Sequence, residues 1–125
     1  MLYPGAGGAT WAAVWYLEER QPEIIVNNCE HTMASDPNTG YVYWGHPGAL
    51  NMSRANYTVH KSTNGGATWQ LLDRIYEYGA GYSDMQVLRN SAGVDYLGVL
   101  FQRTVYSQGA EGGGYNLALA SVALH

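Results

Sequence analysis

The sequence has very few of the side chains that form disulfides or bind metals. Cys29 is the single cysteine among 125 residues, so no internal disulfide can form and no cysteine-based zinc site can be built. The four histidines, His31, His46, His60 and His125, have no metal-ligand spacing and are interpreted as ordinary polar residues. The sequence therefore predicts neither a metal site nor a cofactor.

Charge is also scarce, which limits the classes of partner. Charged residues make up 13% of the chain, well below the usual quarter, which argues against a disordered or highly charged helical protein. The net charge is −4 and no basic block is present, which disfavours a nucleic-acid partner. No apolar run is long enough to predict a membrane span, and residues 1–10 lack the positive n-region and apolar h-region of a signal peptide. The cellular compartment stays open.

Aromatic residues and glycines are abundant instead. The chain has 11 tyrosines, 4 tryptophans and 16 glycines, a composition that favours strands separated by turns. Residues 12–20 have some helical propensity but are too few for a stable isolated helix, so we expect a strand followed by a loop. A loop is also expected at residues 112–114. The predicted strands are residues 23–26, 41–44, 57–60, 71–75, 85–88, 96–101 and 115–124. The sequence therefore predicts an all-β protein.

An internal repeat indicates how these strands are organised. Residues 7–11 read Gly-Gly-Ala-Thr-Trp and recur as residues 65–69, with a spacing of 58 positions. A period of this order, filled with short strands, is typical of a propeller blade. The second copy lies in residues 62–69, which fit the Asp-box pattern Ser-x-Asp-x-Gly-x-Thr-Trp with Asn64 at the Asp position. We expect Asn64 to accept backbone N–H groups, the glycines to supply positive φ angles and Trp69 to pack under the turn.

Six segments follow one another between Cys29 and Gln102 in the order and spacing of one enzyme family. They are Cys29–Thr32, His46-Pro47, Arg54–Tyr57, the Asp-box, Gly81–Met85 and Tyr96–Phe101. Together they resemble the C-terminal portion of the sialidase (neuraminidase) family, whose fold is a six-bladed Asp-box propeller. The resemblance implies that residues 1–125 form a partial β-propeller of about two blades, near the last third of such a domain.

The resemblance implies a chemical role for two residues. Arg54 would be the third arginine of the triad that binds the sialic acid carboxylate, a role suited to the planar, permanently charged guanidinium. Tyr82 would be the catalytic nucleophile. The substrate's anomeric carbon carries a carboxylate that repels an anionic Asp or Glu, whereas a neutral phenol avoids this repulsion. A phenol needs a partner base, which the family supplies as a glutamate from an earlier blade.

Two further residues have supporting roles in this interpretation. Asp84 would point to the same face as Tyr82 in an extended strand and could accept a hydrogen bond, or it could cap a turn or backbone group. Gln102 stands where the family has a glutamate that binds its first triad arginine. Because glutamine has no charge, its interaction with that arginine would be weaker. No part of the sequence matches the family's first two triad arginines, its Asp acid/base or its partner glutamate.

Three hypotheses for function remain open. The first is an exo-α-sialidase-type glycoside hydrolase that releases terminal sialic acid from sialylated glycans by a retaining mechanism. The second is a non-catalytic Asp-box propeller that binds glycans or proteins. The third is a structural β-protein without a site, which requires Arg54 and Tyr82 to lie far apart. Because an incomplete propeller leaves edges and apolar faces exposed, we expect the chain alone to be poorly stable or self-associating, and inactive as a sialidase.

Overall fold

The computed structural model describes residues 2–5, 10–14, 17–27, 29–49, 54–104 and 115–124. Within these residues the chain forms eight strands and one helical turn. The elements are β1 (Leu2–Gly5), β2 (Thr10–Val14), α1 (Leu17–Arg20), β3 (Thr32–Ser35), β4 (Val42–Pro47), β5 (Ala55–Ser62), β6 (Gln70–Arg89), β7 (Asp95–Thr104) and β8 (Tyr115–Ala123). The predicted all-β class is confirmed. The predicted loop at residues 112–114 and the start of the first repeat, residues 7–9, lie outside the described residues.

The strands β3 to β8 form one antiparallel sheet in chain order, curled into a half-barrel, and β1 and β2 form a separate hairpin. Strand β6 is 20 residues long and changes partner midway. Residues 70–79 pair with β5, whereas residues 80–89 pair with β7. We call β3, β4, β5 and the first half of β6 the first meander. The second half of β6 forms the second meander with β7 and β8.

Two segments differ from the sequence-based expectation. Residues 23–26 were predicted as a strand, and this prediction is wrong: the chain turns there, and the Ile24 N–H donates to the Gln21 carbonyl at 3.1 Å. The apolar side chains of this segment lie half-buried over the sheet instead of within it. Residues 12–14 are in a strand as predicted, but residues 17–20 form one helical turn instead of a loop.

Strand β5 is buried on both of its faces, so it separates two clusters of side chains. Tyr57 and Val59 face the main apolar core, which continues onto β7. Gly45 on β4 is required by this core, because a Cβ there would collide with the Tyr57 hydroxyl and lie 2.6 Å from the Met85 methyl group. The core consists of Tyr43, Tyr57, Val59, Ala80, Met85, Leu97, Val99, Phe101, Val122 and Leu124.

The opposite face of β5 carries the buried Thr58 and His60. The His60 ring packs against Trp44 and His46 of β4, and Trp44 in turn contacts Trp69 of the Asp-box. The segment after α1 covers this face and is fixed there by Gln21. The Gln21 side chain accepts the Trp69 backbone N–H at 2.5 Å and donates to the Trp69 carbonyl at 2.7 Å. The sheet therefore has a second buried layer that is rich in rings and polar atoms.

The Asp-box between β5 and β6 has the predicted turn geometry. The Asn64 side-chain oxygen accepts the Thr68 backbone N–H at 2.9 Å, and the Ser62 hydroxyl accepts the Gly66 N–H at 2.9 Å. Gly65 and Gly66 have φ angles of 70° and 90°, which side chains other than glycine rarely adopt. Trp69 is 6% exposed beneath the turn. All three expectations for the box are confirmed.

Candidate functional site

Arg54 and Tyr82 lie side by side on the surface where the two meanders meet. The Arg54 guanidinium carbon is 5.4 Å from the centre of the Tyr82 ring, within the range of a cation–π contact. Both side chains are exposed, Tyr82 to 45%. The structure therefore brings together the two residues that the family resemblance singled out. This proximity counts against the hypothesis of a structural β-protein, which requires them to be far apart.

The backbone at the partner change of β6 positions this pair. Arg54 precedes β5, and its carbonyl accepts the Ala80 N–H at 2.8 Å. The pairing of β6 with β7 is irregular between Ala80 and Ser83. After this irregularity Ser83 faces inward, where its hydroxyl accepts a hydrogen bond from the buried Tyr57 hydroxyl at 2.5 Å. The neighbouring Tyr82 side chain consequently points outward beside Arg54.

Gln102 fixes the backbone of Tyr82. The Gln102 side-chain oxygen accepts the Tyr82 backbone N–H at 3.1 Å. Gly81 leaves space for this contact, because a Cβ there would lie 2.8 Å from that oxygen. Within the described residues, the Gln102 side chain makes no hydrogen bond to an arginine side chain. Its contribution here is to orient Tyr82.

Asp84 does not join this group. Its carboxylate accepts the Met85 backbone N–H at 2.9 Å and the Thr32 hydroxyl of β3 at 3.4 Å. The backbone-cap alternative for Asp84 thus agrees with the geometry, and the carboxylate makes no hydrogen bond with Tyr82. Asp84 connects the second meander to the first strand of the first meander.

The arrangement is suited to binding an anion more clearly than to catalysis. Across the described ranges, the Arg54 guanidinium makes no ion pair or side-chain hydrogen bond, so it is available to a carboxylate. The Tyr82 hydroxyl likewise has no carboxylate or imidazole within hydrogen-bond distance in this part of the chain. A nucleophilic Tyr82 would need a base that these residues do not supply.

Sequence reasoning missed a cluster of three histidines in the second buried layer. The His46 and His60 rings stack with their centres 5.0 Å apart, and the His31 ring lies 5.4 Å from that of His46. Trp44 stacks on His46 at 4.1 Å. Trp44 and His46 are two residues apart on one strand, so the sequence could have predicted that they lie on the same face of the sheet. The position of His60 opposite Trp44 depends on how β4 and β5 are aligned, which the sequence does not show.

Hydrogen bonds fix the protonation of these rings. The His46 Nδ1–H donates to the Pro47 carbonyl at 2.9 Å, so His46 Nε2 is an acceptor and receives the His60 Nδ1–H at 3.0 Å. The Trp44 indole N–H donates to His31 Nδ1 at 3.2 Å. Burial lowers the pKa of His46 and of His60 from 6.5 to about 4, and lowers that of His31 as well. The three rings are therefore neutral at pH 7.

No group of three His, Cys, Asp or Glu side chains among the described residues is arranged to hold a metal ion. In the same residues, no helix is long and apolar enough to cross a membrane. The chain matches no family model, no curated protein and no solved structure.

Proposed function

We propose that this chain is the C-terminal part of a sialidase-type β-propeller, and that Arg54 and Tyr82 belong to its site for terminal sialic acid. The activity of the complete domain would be that of an exo-α-sialidase, a retaining glycoside hydrolase with Tyr82 as nucleophile. The observation that carries the proposal is the contact between the Arg54 guanidinium and the Tyr82 ring. The two residues are 28 positions apart, yet they share one exposed surface.

The sheet topology supports the propeller part of the proposal. A propeller blade is a four-stranded antiparallel meander. The first meander has four strands, and its Asp-box lies between the third and the fourth. The strand that ends it continues directly into the second meander. Propeller blades are separate sheets, so the topological support comes from the four-stranded meander and the position of its Asp-box.

The chemistry of the pair supports sialic acid as the ligand. Arg54 can form a bidentate ion pair with the carboxylate of sialic acid, and the Tyr82 ring lies beside this position. Hydrolysis also requires a base for Tyr82 and an acid for the leaving group. Because the described residues place neither group at Tyr82, we expect this chain alone to bind sialic acid without cleaving sialosides.

Binding tests the role of Arg54. The 125-residue protein is titrated with N-acetylneuraminic acid and with its neutral methyl ester, and the shifts of backbone amide NMR signals are followed. We expect the acid to bind and the ester to bind at least ten-fold more weakly, because a charge-assisted pair is worth about 1.5–3 kcal/mol. Arg54→Gln should remove this preference from the amide signals around Arg54 and Tyr82.

Arg89→Gln is the matched control, since Arg89 is an exposed arginine on the same strand as Tyr82 but is paired with Asp95 at 2.8 Å. Tyr82→Phe retains the ring and should also retain binding. Equal affinities for acid and ester in the unaltered chain, or unchanged binding by Arg54→Gln, would overturn the proposal. Release of fluorophore from a fluorogenic sialoside by the 125-residue chain would contradict the expectation that it is inactive alone.

A non-catalytic Asp-box propeller that binds glycans or proteins is the second candidate. It is favoured by the Tyr82 hydroxyl, which has no base within hydrogen-bond distance among the described residues, and by Gln102, whose oxygen accepts the Tyr82 backbone N–H. The sequence encoded upstream of Met1 distinguishes the two candidates. An Arg-Ile/Leu-Pro start and further Asp-boxes there favour the enzyme, whereas their absence favours the binding module.

A further inference from the structure

A cavity lies on the opposite face of β5 from the main core. It has a volume of about 590 Å³, within the size range of small-molecule sites. Residues of β4, β5 and β6 line it, together with the segment at residues 23–25 and Trp69 of the Asp-box. Neither Arg54 nor Tyr82 lines this cavity. It is therefore distinct from the proposed sialic acid site.

His60 presents an unpaired acceptor to this cavity. Its Nδ1–H is donated to His46, so the lone pair of Nε2 is the free position of the neutral ring. His60 is only 8% exposed, and none of the described residues hydrogen-bonds to Nε2. The His60 ring lines the cavity, and Nε2 is not fully enclosed by protein atoms. A buried acceptor of this kind favours a ligand that carries a hydroxyl or N–H group.

Arg74 places a positive charge at the same cavity. It is opposite Thr58 in the pairing of β5 with β6 and lines the cavity with His60. Its guanidinium makes no hydrogen bond or ion pair with the described part of the chain. An exposed, unpaired guanidinium beside a cavity is suited to a carboxylate or a phosphate, which it can bind through two parallel hydrogen bonds.

The remaining lining limits the ligand's size and polarity. Ile24, Ile25, Trp69 and Leu71 provide apolar surface, and the Thr58 hydroxyl is turned to the carbonyl of Asn56 at 2.9 Å. Glu23 is the one carboxylate in the lining, and it accepts a hydrogen bond from the Gln21 amide at 3.3 Å. The lining thus combines the Arg74 cation, the Glu23 carboxylate, the unpaired His60 acceptor and apolar side chains.

We propose that this cavity binds a small hydroxylated anion, whose acidic group pairs with Arg74 while one of its hydroxyl groups donates to His60 Nε2. A sugar acid and a sugar phosphate both have this chemistry. A simple sugar lacks the anionic group, and inorganic phosphate offers no carbon skeleton to the apolar wall. These four classes of molecule separate the contributions of charge, hydroxyl group and apolar contact.

The test titrates the 125-residue protein with D-glucuronate, D-glucose 6-phosphate, D-glucose and inorganic phosphate. We expect glucuronate, glucose 6-phosphate or both to bind, and glucose and inorganic phosphate to bind at least ten-fold more weakly. Nitrogen-15 NMR of the histidine rings provides a second readout, in which the His60 Nε2 signal shifts on binding because this nitrogen gains a hydrogen bond. Binding of one acid alone identifies the preferred anionic group.

Three variants locate the binding. Arg74→Gln should weaken binding of the acid by about ten-fold or more, since it removes the charge from an exposed side chain without disturbing the core. Arg89→Gln should leave the affinity unchanged, because Arg89 is an exposed arginine outside both sites and is paired with Asp95. The titrations are repeated in Arg54→Gln, where binding that remains belongs to the cavity, so that failure at this cavity is distinguishable from failure at the sialic acid site. The proposal is overturned if both acids bind no better than glucose and phosphate, if Arg74→Gln binds normally, or if Arg54→Gln abolishes binding.

Discussion

His46 and His60 have four ring nitrogens, and hydrogen bonds determine which of three of them carry a proton. The fourth, His60 Nε2, has no hydrogen-bond partner among the described residues. The Pro47 carbonyl can only accept, so the direction of the chain of hydrogen bonds from His60 through His46 to Pro47 is fixed. A proton added to His46 Nε2 would remove the acceptor on which His60 depends. The neutral pair is thus part of the folded structure.

This pair makes stability depend on pH. The unfolded chain binds protons at both histidines below about pH 6.5, whereas the folded chain binds them only near pH 4. Stability contributed by the neutral rings is therefore present at pH 7 and is lost as the pH falls from about 6.5 to about 4. We therefore expect the free energy of unfolding, measured with urea, to be lower at pH 4.5 than at pH 7.

His60→Gln serves as the comparison for this prediction. It removes one of the two titrating rings, so the free energy of unfolding should change less steeply between pH 7 and pH 4.5, whatever its value at pH 7. A free energy of unfolding that stays constant over this range in the unaltered protein would mean that folding does not lower the pKa values of these histidines.

The sequence alone predicted some of the site residues but not others. Arg54 and Tyr82 were identified as candidates from the motifs around them, but their contact depends on the irregular pairing of β6 near Ala80. The histidine cluster was not predicted, because the partners of His60 belong to another strand. Its recognition requires the register that places Trp44 opposite His60.

At the scale of elements, the Asp-box is held by side chains of its own segment. Asn64 accepts the Thr68 N–H and donates through its amide nitrogen to the Thr68 hydroxyl at 2.8 Å. Ser62 lies almost fully buried at the start of the turn and binds Gly66. Contacts of this short range are encoded in the motif, which explains why the turn could be predicted from the sequence.

Replacement of Asn64 tests how much the turn contributes. Asn64→Ala removes the acceptor of the Thr68 N–H, and we expect a loss of about 1–2 kcal/mol in the free energy of unfolding, measured with urea. Asn64→Asp retains the oxygen acceptors that the usual Asp-box uses, so its effect should stay within about 0.5 kcal/mol. Equal losses in the two variants would mean that the side-chain oxygen does not hold the turn.

Elements that depend on distant partners were harder to predict. Residues 71–75 and 85–88 were predicted as separate strands, yet they are parts of the continuous β6, because β7 takes over the pairing where β5 ends. Residues 23–26 have the composition of a strand but lie across the sheet, where Ile24 and Ile25 cover the second layer. Local composition does not distinguish a strand in a sheet from a segment that covers it.

At the scale of the whole molecule, the outer face of the second meander is apolar and open. Leu117 and Leu119 on β8 are 65% and 72% exposed, and Leu100 opposite Leu119 is 43% exposed. Among the described strands, β8 has β7 as its only partner. An apolar strand with a free edge promotes association between chains.

Self-association should therefore respond to a charge placed on this strand. We expect Leu119→Lys to shift the protein towards monomer in sedimentation velocity measurements at increasing concentration, because a lysine on an edge strand opposes pairing. Val94→Lys is the control, since Val94 is also exposed, at 55%, but lies in the turn between β6 and β7. If both variants associate like the unaltered chain, β8 is not the associating surface.

The continuity of β6 has a mechanical consequence for the surface where Arg54 and Tyr82 meet. No flexible connection separates the meanders, so a rotation of one against the other must be absorbed as backbone torsion where β6 changes partner. Arg54 is tied to this point through Ala80, and Tyr82 follows it by two residues. The distance between the Arg54 guanidinium and the Tyr82 ring thus depends on the angle between the two meanders. A ligand that spans the two residues would stiffen the sheet, and a twist of the sheet would alter its affinity.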